Sequence, residues 1–279
     1  MEIDLLTPLE LEKFEHLFPP YLLKELPADE ILLGCVNEAP LDAAGILMAH
    51  PDEGELFIDW IYVDEPYRGK GAGKAMLDIL VDTAAESDAV DAVSVVFSQD
   101  QPDLEPFLKA CGFAVFMREG DAGYLCSLGA FPELPVKSQP VGELLPLPKV
   151  PAKALRSFSD LLSEAAVPGV AIETPIEADR YLPESCVLLE NGTIRGACFL
   201  EKNDVGLSIA WIFNNCSVPD MIVHIVNQSV GLLQKHYPAD TLLRFASVNP
   251  GVERFIDRRV PVLHRAEIYI ATYRFDLEE

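Results

Sequence analysis

Apolar and polar positions alternate along the chain in a pattern that predicts two similar successions of strands and helices. Leu9, Leu11, Phe14, Leu17 and Phe18 follow Pro8 at helical spacing, so a helix is expected over 9–18. Short apolar runs at 30–36, 43–49 and 56–63 predict three strands, the first two joined by the turn 37–42. Ala72, Ala75, Met76, Ile79 and Leu80 then mark one face of a helix over 71–86. A buried strand at 92–98, a short helix at 105–110 stopped by Gly112, and a hairpin of 113–118 with 124–128 complete the first series.

The second series opens with a helix over 152–166. Strands at 186–190 and 195–201 flank Asn191-Gly192, a pair suited to the left-handed positions of a tight hairpin turn. A strand at 207–214, a helix over 219–237, a strand at 242–248, a short helix at 252–258 and a final strand at 267–275 follow. Between the series, Pro132, Pro135, Pro140, Pro146, Pro148 and Pro151 oppose both helix and central strand. This stretch reads as a linker with one short strand near 141–145. The expected organisation is a domain over 1–130, a Pro-rich linker over 131–150 and a second domain over 151–279.

The two series overlay at a fixed offset. Gly45 and Gly196 open equivalent strands, Trp60 and Trp211 sit within equivalent strands, and both pairs stand 151 residues apart. A period of that length indicates a duplicated domain, since solenoid repeats run about 20–50 residues.

Composition narrows the function. Nearly half the residues are hydrophobic (49%), which supplies a core, so the chain is expected to be globular and not disordered. No apolar run reaches the roughly 18 residues of a membrane span, and Met1-Glu2-Ile3-Asp4 has no signal-peptide character. No membrane association and a cytoplasmic location are therefore expected. With 21 basic against 45 acidic side chains and a formal charge of −24, no nucleic-acid partner is expected, because a polyphosphate needs a basic face. The six cysteines form no Cys-x-x-Cys pair and read as reduced core thiols. His16, His50, His224, His236 and His264 show no metal-ligand spacing, so no metal is expected.

Against this acidic background, three basic residues fall within Arg68-Gly69-Lys70-Gly71-Ala72-Gly73-Lys74, between a strand and a helix. The segment fails the Walker A pattern, because Arg68 stands where its first glycine belongs and Ala75 follows Lys74. It fails the dinucleotide pattern as well, for want of a third glycine at 74 or 76. What remains is Arg-x-x-Gly-x-Gly. Glycines let the backbone approach an oxyanion, and the first helical turn offers unpaired N–H groups and the positive end of the dipole. Arg68, Lys70 and Lys74 add charge.

Ile61 to Gly73, together with Phe107-Leu108-Lys109-Ala110-Cys111-Gly112-Phe113, resembles the GNAT superfamily of acetyl-CoA-dependent N-acyltransferases. The resemblance implies an α/β (α+β) fold of two GNAT-like domains, each a mixed, mostly antiparallel twisted sheet flanked by helices. It implies acetyl-CoA as cosubstrate, its pantetheine arm along the main chain of Ile61 and Val63. The pyrophosphate would lie on Arg68, Gly69, Lys70, Gly71, Ala72 and Gly73, with Lys74 near it and Gln101 as a further hydrogen-bonding partner. The family commonly carries a Tyr at the position of Leu108, and leucine cannot protonate a leaving thiolate.

Amine acetylation needs a route for the amine proton. Asp59, in Leu56-Phe57-Ile58-Asp59-Trp60-Ile61, is the candidate base or amine anchor; by alternation it shares a face with Phe57 and Ile61. A carboxylate at the cleft edge with only structural partners is the competing reading. Glu55 is expected at the surface, and Tyr21 and Tyr124 are weighed as remote acids against ring packing. At the 151 offset, Arg68, Gly71 and Gly73 correspond to Pro219, Ile222 and His224, so the second domain is expected to be a degenerate GNAT-like partner without a cofactor loop. His224 reads as a packed helix histidine. The expected activity is acetyl transfer to an amine of a small molecule or peptide, by direct attack in a ternary complex. A non-catalytic acyl-CoA-binding sensor or partner-binding module is the alternative; a longer acyl group, or a thiol or hydroxyl acceptor, also remains open. Oligomeric state is not legible.

Overall fold

The computed structural model describes the chain apart from residues 8–9, 20–29, 39–40, 53, 88, 165–179, 204–205, 217, 219 and 276–279. The first strands are β1 (Glu2–Leu5), β2 (Ile31–Glu38), β3 (Leu41–Asp52) and β4 (Glu55–Val63). Helix α1 (Ala72–Ala85), strand β5 (Ala92–Ser98), helix α2 (Leu104–Ala110) and strand β6 (Ala114–Ser127) follow. Then come β7 (Glu143–Pro146), α3 (Ala152–Glu164), β8 (Cys186–Glu190), β9 (Thr193–Asn203) and β10 (Gly206–Asn214). The chain closes with α4 (Met221–His236), β11 (Leu242–Val248), α5 (Pro250–Arg259) and β12 (His264–Arg274).

Two compact units result, one of Met1–Arg118 with Glu267–Glu279, the other of Glu119–Ala266. In the first unit the strands run β1-β2-β3-β4-β5-β12, all antiparallel except the parallel pair β4–β5. In the second, the order is β7-β8-β9-β10-β11-β6, with β10–β11 as the parallel pair. Each unit is thus the same six-stranded, mostly antiparallel sheet. Even its irregularities repeat: bulged residues stand at Ala44 and Asp59 in one unit and at Arg195 and Ala210 in the other, again 151 apart.

This division differs from the boundary expected at 131–150. The final strand does not close the second series; residues 268–274 of β12 pair with 92–98 of β5, burying Ala271 in the first unit. The stretch expected as a hairpin of 113–118 with 124–128 is one strand, β6, running through Gly120. Gly120 has a positive φ of +87°, but what demands glycine there is close approach: a Cβ would lie 2.3 Å from Pro250. The Pro-rich stretch is not a free linker either. Phe131 and Leu134 enter the core of the second unit, Asn227 on α4 bonds both N and O of Leu134 at 2.8 Å, and β7 pairs with β8.

The helix expected over 9–18 is two 3-10 turns, Leu11–Lys13 and Glu15–Leu17; residue 9 lies outside the described residues. A span this short, followed by Pro19 and Pro20, cannot repay helix nucleation. The turns still bury Phe14, Leu17 and Phe18 against one face of the sheet. On the opposite face α1 buries Met76, Leu77 and Leu80 over Leu47, Leu56 and Ile58. Each such side chain contributes about 1.5–3 kcal/mol of transfer free energy. That packing fixes the start of α1 at the end of β4.

Candidate functional site

The site grows from a mismatch between two neighbouring strands. The parallel ladder of β4 and β5 holds for Glu55–Phe57 against Ala92–Ser94 and then ends. Beyond it Ile61, Tyr62 and Val63 line a cleft of about 720 Å³, whose other walls are the 67–74 loop and residues 100–107. Among the described residues, that stretch of β4 has no partner strand on the β5 side.

The loop supplies the cleft's end. Asp64 caps a short turn by accepting from Glu65 N (3.0 Å), and Tyr67 is buried with its hydroxyl 3.3 Å from Asp42. Gly69 and Gly71 adopt φ of +72° and +90°, and nothing lies within 4 Å of where a Cβ would stand. They are glycine because of conformation, and the space above them is open to a ligand. Gly73 differs: a Cβ there would lie 3.1 Å from Phe107 and 3.4 Å from Val63, so glycine lets α1 pack closely. Gly71 is the N-cap of α1, and the N–H groups of Ala72, Gly73 and Lys74 in its first turn have no intrahelical acceptor. This combination fits a pyrophosphate.

The cations are arranged differently from a simple basic cluster. Arg68 donates from Nε to the Val63 carbonyl (2.9 Å) and lies over the Tyr62 ring (5.3 Å), tying loop to strand. Lys70 stands 5.3 Å over Tyr67. Lys74 donates to both carboxylate oxygens of Asp78 (2.7 and 2.9 Å), one helical turn on. Gln101 lines the cleft, its Oε1 accepting from Ser98 N (3.1 Å). Asp100 and Asp103, not singled out in the sequence, place two carboxylates on the same wall.

Asp59 is the extra residue of the β4 bulge: Ile58 pairs with Ala49 and Trp60 with Met48. The bulge breaks alternation, so Ile58 and Ile61 both pack on the α1 face while Trp60 and Tyr62 join the other face. The expectation that Asp59 shares a face with Ile61 is therefore corrected; it stays with Phe57. Its Oδ2 lies 2.6 Å from His50 Nδ1 on β3, whose ring stacks on Phe57. Burial raises the Asp59 pKa, against the pull of His50. For His50, burial pulls the pKa down, but the hydrogen bond and charge of Asp59, with Glu30 and Asp52, outweigh it and hold the pKa above 6.5. Sequence reasoning passed over His50. Counting back from Gly54 puts it across from Phe57, diagonal to Asp59, which was the available signal.

Other candidates resolve into structure. Leu108 is fully buried in the core beside α1. Glu55 is half-buried, accepting from Ser94 Oγ (2.8 Å). Tyr124 belongs to the second unit, buried and stacked on Phe245, with its hydroxyl 3.3 Å from Asp257; Tyr21 lies outside the described residues. The Cys111 thiol pKa is raised, chiefly by burial, so it is no activated nucleophile.

A fold present twice is also seen in other proteins. Residues 3–113 match the model of the acetyltransferase (GNAT) family. The matched residues lie within the first unit. A tandem GNAT protein from the clavulanic acid biosynthesis pathway superposes on the whole chain, covering 100% of it and 99% of that protein (TM-score 0.65, 13% identity). A probable N-acyltransferase of Enterococcus faecalis V583 covers 98% of this chain over 72% of its own (TM-score 0.59, 13% identity). A GCN5-related N-acetyltransferase of Sphaerobacter thermophilus covers 91% over 84% (TM-score 0.54, 15% identity). At these identities the likeness is one of fold: two GNAT-like domains in tandem. No curated protein matches the chain in sequence.

The second GNAT-like unit has no equivalent cradle among its described residues. Asp220 stands at the N-cap position of α4 without capping it by its side chain, its carboxylate accepting from Lys137 N (2.9 Å) instead, and Ile222 packs into the core. His224 pairs with the Ser138 carbonyl (2.8 Å). Residue 219, the counterpart of Arg68, lies outside the described residues.

Proposed function

We propose that the first unit is an N-acetyltransferase that takes acetyl from acetyl-CoA and delivers it to a primary amine. The observation that carries this reading is the glycine cradle at the start of α1, open above Gly69 and Gly71, at the end of a cleft walled by the stretch of β4 beyond its ladder with β5. Acetyl-CoA supplies an activated acyl group when bound. The residues then have separable tasks. The N–H groups of 71–74 hold the diphosphate, and Arg68, by bracing Val63, keeps loop and strand in register. The edge of β4 at Ile61–Val63, beyond the ladder with β5, receives the amide-bearing arm as an added strand would be received. Asp59, at the bulge where the strand changes direction, takes a proton from the substrate ammonium; the neutral amine then attacks the thioester carbonyl and displaces the CoA thiolate, which takes up the second amine proton.

Leu108, buried where the family commonly has tyrosine, favours a second reading: a non-catalytic acyl-CoA-binding module. Calorimetric titration with acetyl-CoA, beside the Gly71→Trp variant, tests what the readings share. Saturable one-to-one binding that the variant loses is expected; two equivalents per chain, or none, would overturn the assignment. An Asp59→Asn chain that binds as tightly but releases CoA thiol from a primary-amine panel about 100-fold more slowly, or worse, would separate enzyme from sensor.

A further inference from the structure

Three strands of the first unit deliver three metal-ligating side chains to one spot. Glu30 leads into β2, His50 lies near the end of β3, and Asp59 is the bulged residue of β4. Their ligand atoms all lie within 4.8 Å of one another. His50 and Asp59 are each about one-third exposed (35% and 31%), so the spot is reachable from solvent. Glu30 is also half-buried. We infer that Glu30, His50 and Asp59 form a site for a divalent transition-metal ion of the Zn²⁺ type, the ion replacing the proton shared by His50 and Asp59.

The donor chemistry selects the class of ion. One imidazole with two carboxylates suits Zn²⁺ and its neighbours, whereas Mg²⁺ and Ca²⁺ prefer all-oxygen sets. Zn²⁺ bonds of about 2.0–2.2 Å hold tetrahedral ligands roughly 3.3–3.6 Å apart. The 2.6 Å pair must open slightly and Glu30 must close in, both by side-chain rotation at a partly exposed surface. The backbone supports this: one ladder sets Ile31, next to Glu30, opposite Ala49, the other sets His50 opposite Phe57, two residues before Asp59, and the His50 ring stacks on Phe57. Asp52, whose charge also acts on His50, adds to the local negative potential. Three protein ligands leave coordination positions for water.

The chain contains an internal control. His236 and Glu184 in the second unit make the same 2.6 Å contact, but form no such three-donor group among the described residues. If the proposed reaction holds, a metal here would take Asp59 from use as a base and stop transfer. That consequence rests on the acetyltransferase reading, while the site itself does not.

The test uses binding alone. Zn²⁺ is titrated into the untagged full chain with reduced thiols, by calorimetry and by the ring-nitrogen signals of the histidines. One equivalent, with the His50 signals shifted and those of His236 unmoved, is expected. Glu30→Gln, His50→Gln and Asp59→Asn should each weaken binding at least tenfold, and His236→Gln should leave it unchanged. Co²⁺ in place of Zn²⁺ should give a spectrum without thiolate charge-transfer bands. No saturable binding, unmoved His50 signals in the wild-type chain, or a thiolate spectrum would overturn the proposal, whatever acetyl-CoA does.

Discussion

At the scale of single residues, Gly71 and Gly73 look alike in sequence and differ in what forbids a side chain. Gly71 is held at φ +90° with open space around it, so Gly71→Ala pays for backbone conformation alone, about 1–2 kcal/mol. Gly73→Ala keeps a helical backbone but brings a methyl to 3.1 Å from Phe107, so its cost is set by how far that ring can yield. Denaturant unfolding of the two variants should show the Gly71 loss, and the Phe107→Leu background should relieve only Gly73→Ala. Leu108 carries a parallel lesson. A leucine at 0% exposure has no room for a phenol, so Leu108→Tyr should lose about 1–3 kcal/mol of stability in thermal melts and gain no acetyl transfer. A tenfold rise in transfer by that variant would show that a lost acid had been restored.

At the scale of elements, the β4 bulge and the segment preceding β7 carry most of what the strand and helix pattern did not foretell. One extra residue at 59 re-aims the strand, sending Ile61 and Val63 to the α1 side and Asp59 toward His50. The 131–141 stretch, proline-rich and expected to be a spacer, is clamped along α4 by Asn227 to Leu134, His224 to Ser138 and Asp220 to Lys137. Asn227→Ala leaves the Leu134 N–H and carbonyl without that side chain. It should destabilise the second unit by about 1–3 kcal/mol. The same variant should open the 131–141 segment to limited proteolysis; unchanged cleavage would mean the prolines alone hold the strap.

At the scale of the whole chain, duplication is plain but the domains are not consecutive. The first unit takes its sixth strand from the far end of the sequence, and residues 268–274 supply the antiparallel partner that β5 otherwise lacks. A chain cut at 130 would expose that edge and lose Ala271 and its half-buried neighbours Tyr269 and Tyr273 from the core. It should fail to give a cooperative thermal transition, whereas residues 1–118 joined by a flexible linker to 267–279 should give one. Cooperative melting of the 1–130 piece would show β12 to be dispensable. The proline signal pointed to the wrong boundary because prolines report only where helix and strand interior are forbidden, not which strands pair.

The sequence by itself determined the features that depend on one residue's backbone. Gly69 and Gly71 were legible because left-handed φ values are cheap for glycine and costly for others. So was the duplication, whose two tryptophans and matching element order survive as a fixed spacing. Only the tertiary structure decided which side chains meet. The His50–Asp59 contact, the approach of Glu30 and the placement of β12 beside β5 all follow from strand register and bulges. Register is settled by competition among distant segments for one buried face. A one-residue bulge, invisible in composition, is enough to reverse which face a side chain occupies.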